Sequence, residues 1–474
     1  MQTSPAAPLE PGRDQCNRLS QLWQELCDRY LPVVLENSLW RYNRAPLPDD
    51  PEQGWKLHLS ATILSAHSIL QQVAPLLIGA GVQFKATATL NDLADLNSGL
   101  HHGYSQIGKF ITVYPRTNSE AISLAGQLHK LTRDFPAPVI PFDKRYKPDS
   151  NVYYRYGAFR SLKLPNTDGL QSQSLRHPNG TLVPDLRDAE QAKPDWVDDL
   201  FPHQAVPANR SNPLTTTYKV FRALSQRGKG GVFQAIDLSV EPPRFCLLKE
   251  GRRHGELSWD GRDGYWRVEQ EERVLRQLRQ LGVAVPEVYG SFDLDGNRYL
   301  ATEFIAGESL QSLLSRQQRR FSVSRALGYG IEIARLLDDI HSVGWVWRDC
   351  KPANLILTQS GAWRPVDFEG ACPANQPDEF LWRTPAYTAP AHLAASETRS
   401  SAQDDCYALG VILYQMLSGK LPEIDALTPL EKLRRGVPAE AQQVVMELLT
   451  AEATERPSAK AVVQRLAKII KGSA

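Results

Sequence analysis

The stretch Trp347-Arg-Asp349-Cys-Lys351-Pro-Ala-Asn354-Leu-Ile-Leu357 constrains this chain more tightly than any other part of it. Thirteen residues past Asn354 stands Asp367, within Val366-Asp367-Phe-Glu-Gly370. A carboxylate, an ammonium, an amide and a second carboxylate in that order and at that spacing are very improbable by chance. A chain of 474 residues is also too long for one hydrophobic core, so two or three domains are expected.

Composition removes several functional classes. The formal net charge is +1, so no global basic field marks a nucleic-acid binder. Six cysteines are scattered without a Cys-x-x-Cys pair, which reads as reduced thiols in a cytoplasm and leaves no Cys/His cluster for zinc. The start, Met-Gln-Thr-Ser-Pro-Ala-Ala-Pro, lacks the basic residues and apolar run of a signal peptide. The most apolar stretch, Ala61 to Val82, is interrupted by Ser65, His67, Ser68, Gln71, Gln72 and Pro75, and predicts a buried amphipathic helix, not a membrane span.

Residues 1–21 are expected to be disordered, and 22–164 to form a small domain in which helical patterns alternate with short strands such as Lys109-Phe-Ile-Thr-Val-Tyr114. Residues 165–216 hold seven prolines (165, 178, 184, 194, 202, 207 and 213) and predict an extended linker. A second compact region is expected over 217–474.

The motifs of the second half resemble those of a protein kinase. Asp349, Lys351 and Asn354 match the catalytic loop His-Arg-Asp-x-Lys-Pro-x-Asn, and Asp367 opens a match to Asp-Phe-Gly. The resemblance implies that Asp349 receives the hydroxyl proton, Lys351 meets the γ-phosphate, and Asn354 with Asp367 holds Mg²⁺. Gly228-Lys-Gly230-Gly231-Val232 resembles the glycine-rich turn over the nucleotide, although its spacing is compressed and a plain hairpin turn reads equally well. Lys249 would reach the phosphates and Glu271 (or Glu272) would hold it. Glu303 and Ile305 would face the purine, with Ile356 beneath it. Asp405 resembles the buried carboxylate that braces the catalytic loop, and Arg456 the late structural arginine. The expected cofactors are ATP or GTP with Mg²⁺.

Three positions depart from the kinase pattern. Trp347 replaces a histidine, Glu369 a glycine, and Ala391 the glutamate that would pair with Arg456. None of them touches the phosphates, so an active kinase is expected. No Ser or Thr lies between Asp367 and Thr384, so that loop is expected to be held without phosphorylation, by Asp378 or Glu379 near Arg348.

The first half carries a different set. Lys56-Leu-His58 puts two side chains on one face if the segment is a strand. Lys85, Gly108-Lys109-Phe, Asp143-Lys144-Arg145 and Tyr153-Tyr-Arg155-Tyr-Gly-Ala-Phe159 follow. Taken singly, each is more often a surface cation or core aromatic. Together, cations near apolar strands suit a dianionic group.

These strings resemble the N-terminal lyase domain of class III/IV lanthipeptide synthetases, a domain similar to bacterial phosphothreonine lyases. A kinase domain follows it in those synthetases, as here. The implied fold is α+β: a small mixed lyase domain, then a two-lobed kinase with a five-stranded N-lobe and a helical C-lobe. The implied reaction is two-step dehydration of Ser/Thr in a precursor peptide. The kinase phosphorylates, and the lyase then removes the Cα proton and expels phosphate, leaving dehydroalanine or dehydrobutyrine. Lys85 would be the base, His58 the acid and Lys56 the stabiliser of the enolate, with Lys109, Arg145 and Arg155 on the phosphate and Lys144 a further candidate. The arginine common before Gly-Lys-Phe is missing from His101-His-Gly-Tyr-Ser-Gln-Ile107.

The family's zinc-binding cyclase has no counterpart in the motifs, so ring closure is expected to fall to a partner, to occur spontaneously, or not to occur at all. The Arg-rich segment Gly251–Arg267 is a candidate leader groove. No nucleic-acid or membrane partner is expected. An alternative reading is a regulatory Ser/Thr kinase whose first domain docks phosphopeptides. A third is a pseudokinase scaffold, which Lys249, Asp349, Asn354 and Asp367 oppose.

Overall fold

The computed structural model describes residues 11–472, apart from residue 37 and the stretches 161–162, 166–170, 186–192, 202–211, 317–319, 377–381, 383, 391–399 and 424–425. The chain divides into two compact units, one of residues 1–233, 249–266 and 293–299, the other of 234–248, 267–292 and 300–474.

The first unit is built on an antiparallel sheet of seven strands: β1 (Val33–Val34), β2 (Trp40–Tyr42), β3 (Gln53–Leu59), β4 (Gln83–Thr87), β5 (Ile111–Tyr114), β6 (Lys144–Arg145) and β7 (Val152–Ala158). Their order is β1-β2-β4-β5-β3-β7-β6. Side chains alternate between faces along each strand. Leu57, Leu59, Phe84, Ala86, Ile111, Val113, Val152 and Tyr154 therefore share one face and are wholly buried. Against that face pack α1 (Pro11–Tyr30), α2 (Ala66–Gly79) and α4 (Asn118–Thr132), through Trp23, Ile69, Val73, Leu124 and Leu128. A shorter helix, α3 (Leu90–Ser98), opens on a capping box between Thr89 and Asp92 and closes on Gly99 at φ +67°.

The structure revises the expected boundaries of this half. The disorder expected through residue 21 gives way at Pro11 to α1, whose Leu19, Trp23, Leu26, Cys27 and Tyr30 recur at helical spacing and turn inward. The expected linker is not extended spacer. Its described residues form a small sheet of β8 (Lys163–Pro165), β9 (Gln171–Arg176) and β10 (Leu182–Pro184), and Phe201 packs edge-on against Tyr146 and Tyr154 at 5.0 and 4.7 Å. α2 is the amphipathic helix read within 61–82, buried along Ile69, Leu70, Val73, Ala74 and Leu77. No described helix is long and apolar enough to cross a membrane.

A five-stranded sheet follows a single turn of helix, α5 (Pro213–Thr216). It is formed by β11 (Tyr218–Arg227), β12 (Gly230–Asp237), β13 (Arg244–Gly251), β14 (Val288–Leu294) and β15 (Asn297–Glu303), in the order β11-β12-β13-β15-β14. Its strands contribute residues to both units. The rest of the second unit is mostly helical: α6 (Gly264–Gln280, from Arg267 onward), α7 (Leu310–Arg316), α8 (Val323–Ser342) and the helices Ala402–Ser418 and Ala459–Gly472. They enclose one apolar core that includes Leu337, Ile340, Ile412, Leu413 and Leu466. Gly330 lets α8 approach Ala402–Ser418, since a Cβ there would lie 2.4 Å from a Leu413 methyl.

Candidate active sites

The polar face of the seven-stranded sheet gathers five of the first half's predicted residues, Lys56, His58, Lys85, Arg145 and Arg155, by register. Lys144 instead pairs with Tyr154 of the other face, and Lys109 precedes β5. Tyr42 pairs with Lys85, Lys85 with Thr112, Thr112 with His58, His58 with Tyr153, and Tyr153 with Arg145. Directly paired residues share a face, so this row crosses the sheet on one side. Lys56 and Arg155, paired with each other, stand two residues along on the same side. Lys85 Nζ lies 3.9 Å from the centre of the Trp40 ring, an aromatic face that attracts an ammonium.

Below this row sits a carboxylate the sequence reading left without a role. Asp143 accepts from His58 Nδ1 at 2.5 Å and from Lys109 Nζ at 3.1 Å, and all three side chains are buried. Burial pushes the His58 imidazole down to about 3, and Lys109 and Lys56 push the same way against Asp143. Burial alone would raise the Asp143 carboxyl, but His58, Lys109 and Arg155 outweigh it and hold it well below the usual range. The stable state is therefore neutral imidazole against carboxylate, with the proton on Nδ1 and the Nε2 lone pair turned from Asp143.

Two further carboxylates come from the segment read as linker. Asp185 meets Arg155 at 2.5 Å, both buried, and Asp199 meets Lys144 at 2.6 Å. With Lys109 on Asp143, three of the cations expected to grip phosphate thus already have carboxylate partners. Arg145 donates through Nε to the Ser150 carbonyl at 2.6 Å, and its guanidinium lies 5.5 Å from the Tyr153 ring centre. His101 and His102 turn to Asp95 at 2.5 and 3.0 Å.

The glycine-rich turn departs from its expected use. Gly228 N–H donates to the Ser98 carbonyl at 2.9 Å and so is engaged with α3, not offered to a phosphate. A Cβ on Gly228 would lie 1.7 Å from the Asn97 carbonyl oxygen, and one on Gly230 1.7 Å from that of Glu250. Close backbone approach explains these glycines. Gly231 is crowded by the Phe233 ring, while Val232 and Lys249 are half-buried. In the Arg-rich segment Gly251–Arg267, Arg252 bonds Glu250 and lies 5.0 Å from the Tyr104 ring centre, Arg262 pairs with Asp260, and Arg253 stacks on Tyr265. These three arginines are knitted into the fold.

In the second unit Asp405 anchors the catalytic loop. Its carboxylate accepts from the N–H groups of Trp347 and Arg348 at 2.9 and 2.8 Å and meets His341 at 3.0 Å. Arg348 and Asp367 both adopt φ +69°, a left-handed conformation that residues other than glycine seldom take. Asp349 is 6% exposed and receives Lys351 Nζ at 2.7 Å, Asn354 Nδ2 at 2.8 Å and Thr384 Oγ1 at 3.0 Å. Burial raises its carboxyl to about 6, with Lys351 lowering it and Asp367 raising it. Because Nδ2 of Asn354 is committed to Asp349, its amide oxygen is the atom to offer a cation. With Asp367 it makes a hard-oxygen donor set of the kind Mg²⁺ takes.

Trp347 fills the structural role of the replaced histidine. Its indole N–H donates to the Asp367 carbonyl at 3.0 Å and its ring stacks on Phe368. Glu271, 2% exposed, accepts from Phe368 N–H at 3.1 Å, whereas Glu272 is bound to Arg276 and Ser291. Glu271 is thus the inward carboxylate of the two. Glu303 N–H donates to the Glu287 carbonyl at 2.8 Å and its carboxylate meets Arg364 at 3.0 Å. Ile305 and Ile356 are half-buried, the latter on a strand, Leu355–Thr358. Arg456 donates to the carbonyls of Thr450, Ala451 and Gln403. Ala391, Asp378 and Glu379 lie outside the described residues.

Residues 33–213 match the family described as RamC, N-terminal domain, and residues 249–466 the protein kinase domain. The first match includes most of the supposed linker. The chain is 30% identical to the probable SapB synthase of Streptomyces coelicolor over 406 residues, 81% of this chain and 42% of that protein. It is 35% identical to a cAMP-dependent protein kinase catalytic subunit-like protein of Caenorhabditis briggsae over 199 residues, 40% of this chain and 50% of that one. Serine/threonine-protein kinase PknA of Mycobacterium tuberculosis is 31% identical over 217 residues, 44% and 48% of the two chains. The chain thus spans half or less of the length of these relatives. It joins a match to the RamC N-terminal domain and a match to the protein kinase domain, in that order along the sequence.

Proposed function

We propose that this chain dehydrates Ser and Thr side chains of a peptide in two steps, phosphorylation and then elimination of the phosphate. In the first step Asp349 takes the hydroxyl proton, Lys351 stabilises the transferred phosphoryl group, and Asn354 and Asp367 would hold Mg²⁺. ATP supplies the phosphoryl group when bound, and Lys249 is the residue assigned to its phosphates.

In the second step Lys85 removes the Cα proton while the Cβ–O bond breaks toward phosphate, leaving a Cα=Cβ alkene. His58 delivers a proton to the departing oxygen, and Lys56 faces the enolate-like carbonyl. The arriving phosphate dianion favours the imidazolium that burial otherwise disfavours, so the acid is charged only when the leaving group is present. Lys109, Arg145 and Arg155 attract the phosphate.

The observation that carries this reading is the single row Lys85–Thr112–His58–Tyr153–Arg145, which aligns base, acid and cation on one sheet face. A test without ATP isolates the second step: a synthetic phosphoserine peptide incubated with the protein should release inorganic phosphate and form dehydroalanine. The alternative, a docking domain for phosphopeptides, predicts binding of that peptide with its phosphate retained.

A further inference from the structure

Activation segments of kinases are commonly ordered by a phosphate placed opposite arginine. This chain offers no Ser, Thr or Tyr between Phe368 and Arg383 to carry one. Its catalytic-loop arginine, Arg348, is 9% exposed and already donates to the Gly370 carbonyl at 3.2 Å and to Ser400 Oγ at 3.1 Å. The residue in the position of the Asp-Phe-Gly glycine is Glu369, 8% exposed. Glu369 Oε1 lies 4.0 Å from Arg267 Nη1 of α6, and both side chains are largely buried. The Arg267 guanidinium also lies 4.8 Å from the centre of the Trp382 ring. That ring packs on Gly370, where a Cβ would lie 2.7 Å from it. On the same helix Glu271 takes the N–H of Phe368 and Gln270 donates to the Ala371 carbonyl at 3.3 Å.

From this arrangement we infer that Arg267, Glu369 and Trp382 form a built-in clamp that fixes the segment after Asp367 against α6, in place of a regulatory phosphate. Glu369 supplies the negative charge that a phosphate would bring, and Arg267 is the cation that reads it. Trp382 adds a third contact, because its ring meets both Gly370 and the guanidinium. Arg267 and Glu369 are positioning residues: they act through Asp367 and Phe368 rather than on the nucleotide. The inference rests on the phosphorylating half of the proposed function.

The test measures ADP release from Mg·ATP by the full chain and its variants. Arg267→Met keeps the aliphatic packing on Trp382 and Glu369→Gln keeps the size. Each should lower the turnover number about tenfold to a hundredfold with the KM for ATP within about twofold. Arg267→Lys should retain most of the turnover. The double variant should be no worse than the poorer single one, as coupled residues require. Phosphatase treatment of the wild-type protein should leave turnover unchanged. Amide exchange at residues 368–371 should quicken in Arg267→Met, a readout independent of activity. Unaltered turnover and exchange in both single variants, losses that multiply in the double variant, or a phosphatase-sensitive wild type would each overturn the clamp. A wild-type protein that releases no ADP would instead overturn the phosphorylating reading, and the exchange measurement would still decide the clamp.

Discussion

Asp143 accepts from His58 Nδ1 at 2.5 Å and, through its other oxygen, from Lys109 at 3.1 Å, so one buried carboxylate fixes both the tautomer of the imidazole and the place of the ammonium. Removing that charge should separate the two steps. Asp143→Asn is expected to slow phosphate elimination by about tenfold to a hundredfold, the range found when partners that orient a reactive histidine are lost. It should also destabilise the fold by about 3 kcal/mol, because Lys109 is left buried without its carboxylate. Release of phosphate from a phosphoserine peptide, followed beside a thermal melt, checks both.

Acid should weaken the first unit in a definite window. His58 has its folded value depressed to about 3, so its burial adds no penalty above its ordinary value of 6.5 and an increasing one as pH falls from 6.5 toward 3. Asp143 is depressed too, so its contribution is present above the ordinary carboxylate value and is lost as pH falls through its folded one. Urea midpoints should therefore fall as pH drops below 6.5, and His58→Gln should flatten the upper part of that slope. A slope unchanged in the variant would contradict the assignment.

Phosphorylation should carry its own pH signature. Asp349 must be ionised to take a proton, and burial raises its carboxyl to about 6. The rate of phosphoryl transfer should rise with pH through that value and level above it. Asp349→Asn should lower it by about a hundredfold or more. Elimination from a ready-made phosphopeptide should be untouched by that variant.

Gly228 and Gly230 give a prediction about architecture. Alanine at either position would drive a Cβ into a backbone carbonyl at 1.7 Å, Asn97 in one case and Glu250 in the other. Each substitution should destabilise the first unit by about 2 kcal/mol, the scale of overpacking at a site that cannot yield. Gly231→Ala meets a phenylalanine ring that can turn aside and should cost less, as comparative melting would show.

The catalytic loop was legible because its chemistry is local: Asp349, Lys351 and Asn354 lie within six residues, and their mutual hydrogen bonds follow from that spacing. The polar face of the first sheet was legible through strand parity, which puts Lys56 and His58 on one side. Its carboxylates were not. Asp143, Asp185 and Asp199 stand in segments rich in Pro and Asp, where an aspartate reads as a solvated turn residue, and only tertiary placement brings them to His58, Arg155 and Lys144. The same composition hid the small sheet within the expected linker, whose strands are short. Trp347 looked like a departure because the pattern specifies an imidazole; an indole N–H reaches the Asp367 carbonyl equally well.

The most direct test of the two-step account is the intact mass of a Ser/Thr-containing precursor peptide, encoded beside the gene, after incubation with Mg²⁺, ATP and either the wild-type chain or Lys85→Ala. The account predicts loss of one water per modified site with the wild type, and with Lys85→Ala a peptide that keeps its phosphate. Phosphate gain with both proteins, and no loss of water with either, would contradict it.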